Sequence, residues 1–182
     1  MTVYTMLADG FEEVEALAVV DVLKRAEIEV FMVSVMEEKL VTGAHQINVC
    51  ADMCFDEADF DKCDMIFLPG GMPGTLNLKN HKGLIEQIKS FDKSGKKLAA
   101  ICAAPSILGE LGLLNQKRAV CFPGFEDSLK GAILVNKRAV TDGNIFTSKG
   151  MGTALDLGLE IVKHVAGSEK SEELARTIQY KE

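Results

Sequence analysis

An α/β fold built on a mostly parallel sheet is predicted for this chain by three observations. Short apolar runs of strand length alternate with stretches of helical spacing, the pattern left by repeated βαβ units with helices on both faces of a sheet. No linker, repeat or low-complexity tract interrupts that alternation, so residues 1–182 read as one domain. Late in the chain, Asp142-Gly143 stands between two β-rich arms, the signal of a hairpin.

The strand-like runs are residues 3–8, 28–35, 65–68, 98–101 and 119–121. Helical stretches fall between them at 14–25, 83–91 and 106–114. In the first helix Val14, Leu17, Ala18 and Val22 give an apolar stripe, and Arg25 a basic last turn. Residues 41–50 are expected to add strands at one sheet edge. The hairpin spans 138–147, a helix follows at 153–165, and a last one begins near Ser168. In open sheets of this kind, sites lie at the carboxyl ends of the strands. Three segments fit: the turn after the first strand, Pro69-Gly70-Gly71, and Cys102.

Bulk properties narrow the function. A chain of 182 residues, 47% hydrophobic, can bury a sizeable core. A net charge of −7 argues against nucleic-acid binding, which needs clustered Lys and Arg. Neither a basic amphipathic stretch nor a bilayer-length apolar run points to a membrane. The first eight residues lack a basic n-region, and five cysteines is an odd number for a disulfide framework. The expected setting is therefore the cytoplasm, with reduced thiols.

Cys102 carries the chemistry. Leu98 to Ile101 reads as a buried strand, and Pro105 suits the first turn of the helix that follows. A thiol on such a strand-to-helix turn stands clear of the sheet, near free N–H groups and a helix N-terminus, conditions that lower its pKa. Ala103 and Ala104 leave room for a substrate. In the first turn, Glu12 and Glu13 read as acids at a solvated helix N-terminus.

Other motifs support neither a cofactor nor a metal. Gly70-Gly71-x-x-Gly74 lacks the dinucleotide-binding spacing, and no third glycine follows Gly150-x-Gly152 at the needed step. His45, Cys50, Cys54 and Cys63 contain no tight Cys-x-x-Cys pair, so zinc is not expected.

Four segments taken in order, Asp9-Gly10-Phe11-Glu12-Glu13-Val14-Glu15, Leu68-Pro69-Gly70-Gly71-Met72-Pro73-Gly74, Ala100-Ile101-Cys102-Ala103-Ala104-Pro105 and Thr147-Ser148-Lys149-Gly150-Met151-Gly152-Thr153, resemble the ThiJ/PfpI superfamily. The branch is that of the parkinsonism-associated protein deglycase and its bacterial ThiJ-like relatives. The resemblance implies a three-layer α/β/α sandwich, flavodoxin-like and similar to class I glutamine amidotransferases, that forms homodimers. It places the reactive cysteine at Cys102, an assisting acid at Glu15 and oxyanion-binding N–H groups at Gly71 and Ala103. Beside a thiolate Glu15 must hold a proton, which it can donate to sulfur or to substrate. Gly70, Met72, Phe122 and Lys149 are further candidates for the pocket, and in a dimer His45 could approach the partner's Cys102 pocket. Phe122 stands where relatives often carry histidine and Lys149 where some carry arginine. Peptidase and amidase activity is therefore not expected. The implied activity is glyoxalase- or deglycase-like, on small reactive carbonyls or glycated proteins without a cofactor. The alternative is a redox-sensing stress protein or chaperone. The family's label of thiazole monophosphate biosynthesis (a thiamine-pathway role) finds no phosphate-cradling loop here.

Overall fold

A computed structural model of the chain describes residues 1–180. The first half runs β1 (Thr2–Leu7), α1 (Glu13–Arg25), β2 (Glu29–Ser34), β3 (Leu40–Thr42), β4 (Asn48–Cys50), β5 (Met53–Cys54), β6 (Met65–Leu68), α2 (Gly74–Asn80) and α3 (Lys82–Ser94). The second half runs β7 (Lys97–Ile101), α4 (Pro105–Glu110), β8 (Arg118–Ala119), β9 (Ile133–Leu134), β10 (Ala139–Asp142), β11 (Ile145–Ser148), α5 (Ala154–Ala166) and α6 (Ser168–Thr177).

Among the described residues, seven strands form the central sheet in the order β10-β11-β7-β6-β1-β2-β5. Neighbours are parallel except β10 and β11, which form the expected hairpin around Gly143-Asn144. Alternation within each strand divides the core into two layers. Tyr4, Met6, Ile66, Leu68, Leu98 and Ala100 pack with Leu78 of α2, Ile88 of α3 and Ile107 of α4. Val3, Met65, Phe67, Ala99, Ile101 and Phe146 face the other way, onto Val19 and Val22 of α1 and Leu157 and Ile161 of α5. This is the three-layer α/β/α sandwich with flavodoxin-type strand order. Chain winding reverses between β1 and β6, so a crevice opens at their carboxyl ends.

Several elements depart from the sequence reading. Residues 41–50 do not extend the central sheet; β3 and β4 pair with each other as a separate antiparallel flap. The flap is tied to the turn after β1 by Gly10 N–H to the Thr42 carbonyl and Ala44 N–H to the Phe11 carbonyl, both 2.8 Å. The run at 119–121 also lies outside the sheet, because β8 pairs with β9 and Val120 N–H bonds the Thr147 hydroxyl. The helix expected at 106–114 ends at Glu110, before Gly112 at φ +76°. In α1 the buried stripe is Ala16, Val19, Val20, Val22 and Leu23, while Val14 and Leu17 face outward, at 47% and 36% exposure. Among the described residues no helix is long and apolar enough to cross a membrane.

Candidate active site

Cys102 lies in the tight turn from β7 into α4, at φ +65°. The left-handed region costs a residue with a Cβ about 1–2 kcal/mol, so the surroundings must hold it there. Cys102 N–H donates to the Ser148 carbonyl at 3.0 Å, and its own carbonyl accepts from Phe122 N–H at 2.8 Å. The turn is thus clamped between the end of β11 and the loop after β8.

Glu15 reaches the same point from α1. The carboxylate of Glu12, the residue before the helix, accepts Glu15 N–H at 2.6 Å and fixes the first turn. The Glu15 side chain is buried, accepts Gly70 N–H at 2.9 Å and interacts with the Cys102 thiol and the Met151 N–H. Two glycines make this approach possible. A Cβ on Gly70 would lie 2.5 Å from the Cβ of Cys102 and 2.6 Å from Oε2 of Glu15. Gly71, at φ +90°, would bring one within 2.4 Å of the Glu12 nitrogen. Side chains at either position would force the three turns apart.

The electrostatics of the pair follow from its burial. Burial pushes the Glu15 carboxyl up to about 7, a rise that the Cys102 hydrogen bond and the Gly70 and Met151 N–H groups reduce but do not cancel. Burial also pushes the Cys102 thiol up to about 12, and the charge and hydrogen bond of Glu15 act the same way. Gly71 and Ala103 N–H groups act in the opposite sense on the sulfur. Where a low thiol pKa was expected from a helix N-terminus, burial of the sulfur acts first in the opposite direction, and the nearby Glu15 adds to it. Two like charges at this separation are unfavourable, so the pair shares a proton, and a thiolate forms when Glu15 holds it.

Residues 1–164 match the DJ-1/PfpI family. The chain belongs to that family. It is 37% identical over 171 residues to Protein DJ-1 homolog B of Arabidopsis thaliana, covering 93% of this chain but 39% of the relative. It spans less than half the length of either of two Arabidopsis relatives it matches. A deglycase of Thermococcus kodakarensis is 33% identical, with 90% of this chain and 98% of that protein covered. The solved structure of oxidized DJ-1 from Toxoplasma gondii superposes with a TM-score of 0.93 at 30% identity, covering 97% of each chain.

The remaining predicted residues of this DJ-1/PfpI family member divide between the site and its surroundings. Met72 follows Gly71, and Phe122 follows the loop clamped to Cys102; both are half-exposed. The Lys149 ammonium donates to Oδ1 of Asn136 at 2.7 Å, in a cavity of about 340 Å³ that Cys121 and Glu126 also line. His45 sits on the flap with Nδ1 2.8 Å from Glu13 Oε2, and its N–H donates to Glu13 Oε1 at 2.7 Å. Glu13 is not the solvated acid expected: it is 3% exposed, and Gly43 leaves the space its carboxylate fills. The carboxylates of Glu12 and Glu13 and the His45 ring lie within 4.8 Å of one another and have the donor types of a cation site. Their hydrogen bonds already give each a partner within the chain. Met151 and Gly150 were missed by sequence reasoning, although they follow directly on Lys149 in a segment already singled out.

Proposed function

We propose that this protein is a cysteine-dependent enzyme acting on reactive carbonyls or glycation adducts, with Cys102 as nucleophile and Glu15 as its proton carrier. The observation that carries this reading is the close approach of the buried Glu15 carboxylate to Cys102 on a strained turn, both crowding the space left by Gly70. The deglycase name of the Thermococcus relative supports the same class.

For an α-oxoaldehyde the chemistry balances without an external oxidant. The sulfur attacks the aldehyde carbon, an S–C bond forms, and the carbonyl π pair moves to oxygen. The thiol proton passes through Glu15 to that oxygen, giving a hemithioacetal. Glu15, again a carboxylate, removes the proton on the former aldehyde carbon. The C–H electrons form a C=C bond, the ketone π pair moves to its oxygen, and that oxygen takes the proton from Glu15, giving an enediol. Transfer of the hydroxyl proton on the sulfur-bearing carbon to the neighbouring carbon, with that C–O becoming C=O, yields the thioester of an α-hydroxy acid, which water hydrolyses to free the thiol. One carbon is oxidised, its neighbour is reduced and one water is consumed. A carboxyl that titrates near neutrality suits both roles. Gly71 and Ala103 N–H groups, already directed at sulfur, are the donors proposed for the developing oxyanion.

The test is turnover of methylglyoxal to lactate, followed by NMR. Cys102→Ser and Glu15→Gln are each expected to lose about 10²-fold or more. Unchanged turnover by Cys102→Ser overturns the reading.

One observation favours a redox sensor as a second reading. The Glu15 carboxyl and two N–H groups converge on the Cys102 sulfur, an arrangement that would also hold a sulfinate formed with two equivalents of peroxide. Peptide mass spectrometry after mild peroxide, with oxidation confined to Cys102 and no carbonyl turnover, would select it.

We further propose a homodimer. Val14 and Leu17 on α1 and Ile47 on the flap leave apolar surface exposed on elements that Glu13 ties together. A Leu17→Glu variant is expected to shift light-scattering mass towards a monomer.

A further inference from the structure

We infer that the mouth of this site has an apolar collar centred on the Phe122 ring, its main specificity-determining residue, that selects neutral α-oxoaldehydes bearing alkyl or aryl groups over carboxylated carbonyls. The inference rests on the reaction proposed above and assigns its substrate class more narrowly.

Three exposed apolar residues, Met72 at 47%, Phe122 at 47% and Met151 at 55%, belong to the segments that meet at the thiol. Each is fixed by backbone that touches the reacting pair. Met72 follows Gly71, whose N–H bears on the sulfur, and Met151 N–H holds the Glu15 carboxylate. Phe122 N–H caps the Cys102 carbonyl. Its ring lies along Gly150: a Cβ there would be 3.2 Å from Phe122 Cδ2 and 3.7 Å from Glu15 Oε1. The ring and the catalytic carboxyl thus share the space left open by one glycine. The missing side chain at residue 150 lets the phenyl group stand beside the acid.

Charge acts in the same direction. Glu12 and Glu15 lie at the site, and the negative charge of Glu12 bears on Glu15. The cations that the sequence offered nearby are engaged elsewhere. Lys149 is bonded to Asn136, His45 to Glu13, and the Arg138 guanidinium to Asp156 and the Gly152 carbonyl. A substrate carboxylate would approach two acids, whereas an alkyl or aryl group would settle against the Phe122 ring.

The experiment compares phenylglyoxal, methylglyoxal and glyoxylate as kcat/KM, for the native protein and for Phe122→Ala and Phe122→Leu. Native protein is expected to prefer phenylglyoxal to glyoxylate by about tenfold or more. Phe122→Ala should cut the phenylglyoxal-to-methylglyoxal ratio by about tenfold, and Phe122→Leu should keep most of it. A ratio is read because partial loss of folded protein leaves it unmoved. A ratio that Phe122→Ala does not change, or glyoxylate turned over as well as phenylglyoxal, overturns the inference. If the native protein turns over none of the three, the reaction reading falls. The collar is then judged by labelling of Cys102 with N-phenylmaleimide and a carboxylated maleimide. Faster labelling by the phenyl reagent, abolished in Phe122→Ala, supports the collar; equal rates overturn it.

Discussion

Gly70 and Cys102 approach so closely that one added carbon on Gly70 would lie 2.5 Å from the Cβ of Cys102. The same carbon would lie 2.6 Å from Glu15 Oε2. Neither neighbour is the free end of a flexible chain, since Cys102 is clamped through its backbone and Glu15 is buried. Gly70→Ala is therefore expected to cost about 1–3 kcal/mol of stability. It should cost proportionally more in reactivity, because it wedges the acid from the thiol. Thermal unfolding together with Cys102 alkylation rates measures both, and wild-type alkylation kinetics in Gly70→Ala would contradict the contact.

Replacing Glu15 should lower the pH at which Cys102 ionises. Burial raises the thiol first, and the neighbouring carboxylate adds its charge and hydrogen bond in the same direction. Glu15→Gln keeps the shape and some hydrogen-bonding capacity and removes the charge. The thiolate absorbance of Cys102, titrated in a variant lacking the other four cysteines, should shift down by about 1–3 pH units. An upward shift would mean that protonated Glu15, not ionised Glu15, dominates the thiol's environment.

The same carboxyl sets a pH dependence of stability. Its folded value of about 7 lies above the ordinary 4.5, so the folded state binds the proton more tightly. Its contribution is complete below about 4.5 and is lost as pH rises through about 7, on the order of 3 kcal/mol. Denaturant unfolding at several pH values should show this fall, and Glu15→Gln should flatten it. A native curve flat across that window would place the carboxyl in a wetter environment than its burial indicates.

The parts of the site legible in the sequence are those held by local chemistry. A strand that is apolar throughout, running into Pro105 at the first helical position, marks the Cys102 turn without knowledge of its neighbours. Gly70-Gly71 after β6 is visible for the same reason. What was not legible depends on contacts between distant segments. Glu13 reads as a surface acid until the flap, 32 residues on, covers it. Lys149 is adjacent in sequence to the segment that holds Glu15, yet its ammonium is bonded to Asn136, 13 residues earlier, a partner that only the fold reveals. The α1 stripe was misphased because Val14 and Leu17 are apolar but outward, and composition alone does not distinguish a core face from one left exposed.

The Glu13–His45 contact gives the last prediction. Burial pushes the Glu13 carboxyl up, but hydrogen bonds from the His45 ring and from the His45 and Ile47 N–H groups outweigh it and hold it below 4.5. The hydrogen bond and charge of Glu13 raise His45 above 6.5. The ion pair is therefore complete only between those two folded values. It weakens as pH rises through that of His45, and again as pH falls through that of Glu13. Glu13→Ala removes the acceptor for two flap N–H groups and should cost about 1–3 kcal/mol locally, or roughly tenfold or more in amide exchange. Hydrogen exchange should accelerate at His45 and Ile47. It should accelerate less at Gly10 and Ala44, whose backbone bonds to Thr42 and Phe11 remain. Because Glu12 N–H is bonded to the Gly70 carbonyl at 2.9 Å, loosening that spread to the turn after β1 would also reach Gly70. Exchange at His45 and Ile47 that Glu13→Ala leaves unchanged would show that the flap is held by its backbone bonds alone.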